Sequence, residues 1–191
     1  SKFEKQAEET HQKLAMINQS LNNAKASNGN LSFATPVMKT DFGADLYTVS
    51  DVEASEVLSS MRETFKNKAL MLDFWATWCK PCIKMMPKLQ QLSKAYADKG
   101  LVVIGVSIDD DAARIKKIER FIKKVGVSYP IFSDAKQDPA WHMFNVKVLP
   151  ALFLIDDKGQ VVAQWTGNID HDQVRVEVAG RMARQVQGAN Q

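Results

Sequence analysis

The chain has 191 residues, two cysteines, and 25 basic side chains against 22 acidic ones. That length suits one domain with a real hydrophobic core, which needs no disulfide to hold it together, plus roughly thirty or forty further residues. A net charge of +3 without an arginine-rich, aromatic-interleaved patch argues against nucleic-acid binding. No apolar run nears the roughly 20 residues that cross a bilayer. The polar stretch after Ser1 carries no secretory signal, a pattern that a processed export protein shares.

Residues 2–25 read as a helix. Phe3, Ala7, Thr10, Leu14, Ile17, Leu21 and Ala24 recur at alternating steps of four and three, a heptad-like seam. "KASNGNLS" then stops the helix and opens a linker. The expected organisation is a helical arm (1–30), a linker (31–44), a domain (45–187) and a tail (188–191). The arm is a spacer, a helix packed on its own domain, or a coiled coil through which residues 2–25 form a homo-oligomer. With Thr10 and two alanines on the seam, it would be a weak zipper alone.

From Leu46 the pattern alternates between strand and helix. "DLYTVS" reads as a short strand, and Asp51 caps a helix to about Phe65. "ALMLDFWA" (69–76) is an apolar run around one acid, as in a strand buried on both faces. A helix follows from about Cys79 to Asp98, and "LVVIGVSI" (101–108) is a second buried strand. Asp109 to Asp111 open a lysine-rich helix that ends near Gly126, its lysines forming a solvated face. "YPIF" is a short strand and "DPAWHMFN" a short helix from Pro139. "ALFLID" and "VVAQWT" flank the turn Asp157-Lys158-Gly159, and a helix from about Asp170 to Val186 closes the domain. This order argues for an α/β layer structure with a mixed sheet.

The two cysteines stand three apart in "WCKPC", where a strand hands over to a helix. There the Cys79 sulfur faces unpaired backbone N–H groups and the positive end of the helix dipole, which favour thiolate over thiol. Cys82 lies on the same face one turn deeper, so it can resolve a mixed disulfide formed at Cys79. Pro81 stiffens the first turn and Lys80 adds positive charge. A structural staple over so short a loop gains little. Zinc would need two further ligands, and the chain has no other cysteine and only three scattered histidines. A two-thiolate copper site with His142 or a methionine stays open, although Met85 and Met86 suit helix packing and His142 a polar helix face. Asp73 is an acid inside an apolar strand six residues before Cys79, and burial should raise its pKa. It could instead face solvent or be paired structurally. Trp75 and Trp78 are either core or an apolar docking surface beside the cysteines.

"DFWATWCKPC" resembles the W-C-x-x-C motif of the thioredoxin superfamily. Pro87 falls where that family kinks its active-site helix, and "VKVLPALFLIDDKGQVVAQWTG" is similar to its cis-proline, strand, hairpin and strand. The stretch from Val102 to Val146 resembles the helix-bearing insertion of the TlpA, ResA and CcmG branch of extracytoplasmic, often membrane-tethered thiol–disulfide oxidoreductases. The likeness covers roughly residues 45–187 and implies a thioredoxin-like fold preceded by an extra N-terminal helix. By resemblance, Cys79 is the nucleophile and Cys82 the resolving thiol. Pro150 is the cis-proline, with Leu149 before it offering backbone to an extended substrate. Asp73 is the buried acid that exchanges a proton with the inner thiol, a position where many ResA-type relatives lack an aspartate. The substrate-binding surface would comprise Trp78, Lys80, Pro81 and Leu149, with no metal and no cofactor. Expected partners are protein thiols and disulfides and an upstream membrane or soluble thiol donor. The expected place is the bacterial periplasm, after removal of a signal or anchor. A reductase is the leading reading, with an oligomeric disulfide isomerase and a copper-handling thiol protein as rivals.

Overall fold

A computed structural model of the protein describes residues 2–23, 46–48, 65–134 and 139–188. The helix expected from Asp51 to Phe65 and the linker at 31–44 lie outside the described residues, apart from Phe65 itself, which stands in a turn.

Helix α1 spans Lys2–Asn23. The domain follows as β1 (Leu46–Thr48), β2 (Ala69–Trp75), α2 (Lys80–Tyr96), β3 (Leu101–Ser107), α3 (Arg114–Val125), β4 (Ile131–Ser133), α4 (Ala140–Met143), β5 (Ala151–Ile155), β6 (Val161–Thr166) and α5 (His171–Gly188). Among the described residues one sheet holds six strands in the order β1-β4-β3-β2-β5-β6. The first four run parallel, while β5 is antiparallel to both β2 and β6. This is the mixed α/β sheet expected from the sequence.

The central strands read as unbroken apolar runs because both of their faces are covered. Every residue of β2 and of β5 is buried. On one face Met71, Trp75, Val103 and Leu152 pack with Met86 and Leu89 of α2, Ile118 and Ile122 of α3, and Val174 and Val178 of α5. On the other, Leu72, Phe74, Ile104 and Phe153 pack with Ile17 of α1 and Phe144 after α4. There the rings of Phe74, Phe144 and Phe153 lie 4.8 to 5.7 Å apart, centroid to centroid. Such pairs add about 0.5–1.5 kcal/mol each beyond their buried area.

Helix α1 joins this domain. Ile17 is buried in the second cluster and Leu14 packs against it. Asn18 lies beside β6, giving its Nδ2 to the Val161 carbonyl (3.1 Å) and taking the Val161 N–H on its Oδ1 (2.7 Å). One side chain thereby mimics a strand partner and covers part of an exposed edge. At Leu14 and Ile17, the seam that a zipper would use is packed against the same chain's own domain.

Helix α3 begins later than the run of acids suggests. Asp109 turns inward, as described below, and Asp111 accepts the Ala113 N–H on its side chain (2.9 Å) and the Arg114 N–H on its carbonyl (3.0 Å). Short acids compete for the backbone in this way and delay a helix start. The helix ends as read, with Gly126 at φ 74° and its N–H on the Ile122 carbonyl, a conformation glycine adopts without a Cβ penalty. The lysines of α3 at 116, 117, 123 and 124 are exposed.

Candidate active site

Strand β2 stops at Trp75, and Ala76, Thr77 and Trp78 carry the chain to Cys79, the N-cap of α2. This short loop is fastened on several sides. The Trp75 carbonyl accepts the Ile108 N–H (2.9 Å) and the Cys79 N–H bonds the Ala76 carbonyl (3.0 Å). Asp109, buried at the end of β3, accepts the Thr77 N–H (2.9 Å), the Thr77 hydroxyl (2.6 Å) and the Ser107 hydroxyl (2.7 Å). Hydrogen bonds to a carboxylate are among the stronger ones in proteins. Sequence reasoning assigned Asp109 to a helix start; its place directly after the buried strand "LVVIGVS" was the available signal.

Cys79 and Cys82 form a disulfide with an S–S distance of 2.11 Å. The Cys79 Sγ accepts the backbone N–H of Cys82 at 3.3 Å, so the sulfur does what a serine or aspartate does at other N-caps. In the reduced protein the same N–H and the helix dipole favour a thiolate at this sulfur. Cys79 is 5% exposed and Cys82 fully buried, so the outer sulfur alone is open to a partner. Lys80 and Pro81 form the first turn, where proline's missing N–H costs nothing. Pro87 lies inside the helix, and Met85 and Met86 are buried as packing residues.

Strand register brings Pro150 to the disulfide. Ala151 pairs with Phe74, so Pro150 stands level with Trp75 at the end of β2 that leads to Cys79. The Leu149–Pro150 bond is cis, and the Pro150 carbonyl accepts the Gly167 N–H (2.9 Å). Leu149 is half-buried, and among the described residues neither its N–H nor its carbonyl has a partner.

Asp73 is fully buried. The two-residue period of β2 sets it on the face of Met71 and Trp75, in the cluster that also holds Cys82 and Met86. Gly105 and Leu152 flank it across the sheet. Among the described residues neither carboxyl oxygen has a hydrogen-bond partner, and burial pushes its pKa up to about 8. The solvent-facing and structurally paired alternatives therefore do not describe this residue. The Trp75 Nε1 and the Tyr129 hydroxyl on the same face are also buried, without partners among the described residues. Burial drives the Tyr129 pKa up, and the charge of Asp73 adds to that. A Cβ at Gly105 would lie 2.5 Å from Ile131 Cδ1 and 3.1 Å from Trp75 Nε1, so glycine here makes room first for the Ile131 side chain and then for the indole. Sequence reasoning passed over Tyr129 and Gly105.

Trp75 is fully buried and belongs to the core, whereas Trp78 is 68% exposed. Trp78, Lys80, Pro81 and Leu149 line one groove of 640 Å³ beside Cys79, together with Trp141 and Lys147. The last two were not singled out in the sequence, although "VKVLP" directly precedes the turn into β5. His142 is exposed on α4, its ring 4.7 Å from that of Trp141. Among the described residues no group of three or more histidine, cysteine or acidic side chains could hold a metal, and no helix is long and apolar enough to cross a membrane.

Comparison with known proteins agrees with this geometry. Residues 40–179 match the Redoxin family. The thiol-disulfide oxidoreductase ResA of Geobacillus kaustophilus is 33% identical over 110 residues, covering 58% of this chain and 61% of that protein. ResA of Geobacillus thermodenitrificans is 30% identical over 129 residues, covering 68% and 70%. Among solved structures, a candidate thiol:disulfide interchange protein DsbE from Chlorobium tepidum aligns with a TM-score of 0.54 and 29% identity over 66% of this chain and 83% of that one. The chain belongs to the Redoxin family and, within the thioredoxin superfamily, to the TlpA/ResA/CcmG-like thiol–disulfide oxidoreductases.

Proposed function

We propose that the protein is a reductase of disulfides in exported proteins, acting outside the cytoplasm, with Cys79 as nucleophile and Cys82 as resolving thiol. The thiol-exchange part of this reading is carried by the position of the pair, while its direction is set by the pair's reduction potential. Cys79 caps a helix with its sulfur on a backbone N–H, while Cys82 lies fully buried one turn below.

In the reduced protein the Cys79 thiolate attacks one sulfur of a client disulfide. The Cys79–client bond forms, the client S–S bond breaks, and the departing client thiolate takes up a proton. Asp73, as carboxylate, then accepts the Cys82 proton, directly or through water. The Cys82 thiolate attacks the Cys79 sulfur, the Cys79–client bond breaks, and the second client sulfur leaves as a thiolate that takes up a proton from Asp73 or water. Two electrons have passed to the client, and the Cys79–Cys82 disulfide remains. An upstream dithiol donor, soluble or held in the membrane, reduces it again. Pro150 and Leu149 sit where the client chain would lie, and the unpartnered Leu149 backbone suits pairing with an extended segment.

The test uses a synthetic peptide disulfide. Cys79→Ser should abolish its reduction, and Cys82→Ser should accumulate a mixed disulfide visible by mass spectrometry. Turnover retained in either variant would refute the mechanism. Redox titration against glutathione checks the direction, because a potential well above thioredoxin's, about −270 mV, would count against a reductase.

A further inference from the structure

The groove beside Cys79 continues past the cysteine. A second depression of 310 Å³ shares Pro81 and Leu149 with the first and runs on past Pro150 to Asn168 and Ile169. The two therefore adjoin at Pro81 and Leu149 as one channel beside Cys79.

The charge of this channel is one-sided. Lys80 and Lys147 line the first half, Lys84 and Lys88 the second, and among the described residues neither half is lined by aspartate or glutamate. All four lysines are exposed, and among the described residues none pairs with a carboxylate. Of the acids beyond the lining, Asp110, two residues past Ile108, is exposed, and three others are held by hydrogen bonds. Asp109 is saturated by Thr77 and Ser107, and Asp134 caps α4 through the N–H groups of Ala140 (2.8 Å) and Trp141 (3.0 Å). Asp170, just beyond Ile169, accepts the Asp172 N–H (2.9 Å) at the start of α5. Four of the chain's 25 basic side chains thus line this channel beside the disulfide.

We infer that the preferred client is an extended segment with acidic residues on both sides of its reactive cysteine, received between two aromatic walls, Trp78 and Trp141, and four lysines. This inference rests on the thiol-exchange reading above and adds the client's chemistry to it. Opposite charge at a groove rim mainly speeds encounter and rejects wrong partners. It does not need buried ion pairs.

The test compares three synthetic peptides that share one disulfide loop and differ only in glutamate, serine or lysine on both flanks. The second-order rate of reduction by the reduced protein is measured at low and high salt. At about 20 mM salt the glutamate peptide should react at least about ten times faster than the lysine peptide. The gap should close near 0.5 M salt, where screening acts within a few ångströms. Exchanging Lys84, Lys88 and Lys147 together for glutamate should reverse the order of the peptides. Equal low-salt rates for all three, with the serine peptide reduced, would overturn the acidic client and leave the thiol chemistry standing. If none is reduced, although dithiothreitol opens every loop, the thiol-exchange reading falls and this inference with it.

Discussion

Exchanging Asp73 for asparagine keeps the shape of a fully buried side chain and removes its titration. Burial holds the carboxyl near pH 8, against 3.8 for the free group, because no donor compensates the lost hydration. The sign follows from which state holds the proton. The folded protein binds it more tightly than the unfolded chain, so this contribution to stability is complete below about pH 4. It declines by about 1.4 kcal/mol per pH unit and is gone above about pH 8. Between pH 5 and pH 7 the wild type should therefore lose about 3 kcal/mol relative to Asp73→Asn, a large part of a typical domain's ~5–15 kcal/mol. Urea unfolding of both oxidised proteins at half-unit steps of pH reads this directly, and subtracting the curves cancels every other titrating group. The asparagine amide, also buried without a partner, adds an offset that does not depend on pH. A difference that stays constant from pH 5 to pH 8 would mean that Asp73 titrates in the ordinary carboxyl range, and its part in proton transfer would go with it.

The same carboxyl gives the release of client from the mixed disulfide a rate that climbs as pH approaches about 8. In Asp73→Asn, stopped-flow should show this step slowed at pH 7 and the first attack nearly unchanged; equal release rates would remove Asp73 from the scheme. Asp109→Ala leaves the Thr77 N–H and hydroxyl and the Ser107 hydroxyl without their acceptor, and should cost about 2–5 kcal/mol in urea unfolding. A loss below about 1 kcal/mol would mean that the loop does not depend on it. Asn18→Ala, which uncovers the Val161 N–H and carbonyl, should cost about 1–2 kcal/mol. Chains with and without residues 1–30 should both sediment as monomers, and a dimer that dissociates on truncation would favour the isomerase reading.

The elements legible in the sequence are those set by local chemistry. Unbroken apolar runs gave β2, β3 and β5, and glycines in the left-handed region closed α3 and the β5–β6 hairpin. The cysteine pair was legible because a helix N-terminus and a three-residue step need no tertiary information. Asp109 was misread for the opposite reason. As one of three consecutive acids it looks like a helix opening, and only the approach of Thr77 from another loop (2.9 Å from its N–H) turns it inward. Tyr129 carries a polar atom but is buried like phenylalanine, and nothing in "VSYPIF" marks the difference. Likewise, a heptad-like seam cannot say which surface it will meet. Asn18, off that seam, settles where α1 lies by bonding the edge of β6.

The site depends on the direction of one strand. Strands β2 and β3 run parallel, so their C-terminal ends, carrying Cys79 and Asp109, meet at one edge of the sheet. Strand β5 runs against β2, so the residues at that edge are the ones that precede it, Lys147 to Pro150. A parallel β5 would bring Asp156 and its turn there instead, and neither the Leu149 backbone nor Lys147 would stand beside the disulfide. A cysteine pair 65 or more residues earlier in the chain thus acquires the groove beside it from strand polarity. This also explains why Trp78 and Lys80 could be named from their neighbourhood in sequence, while Trp141 and Lys147, equally part of the groove, could not.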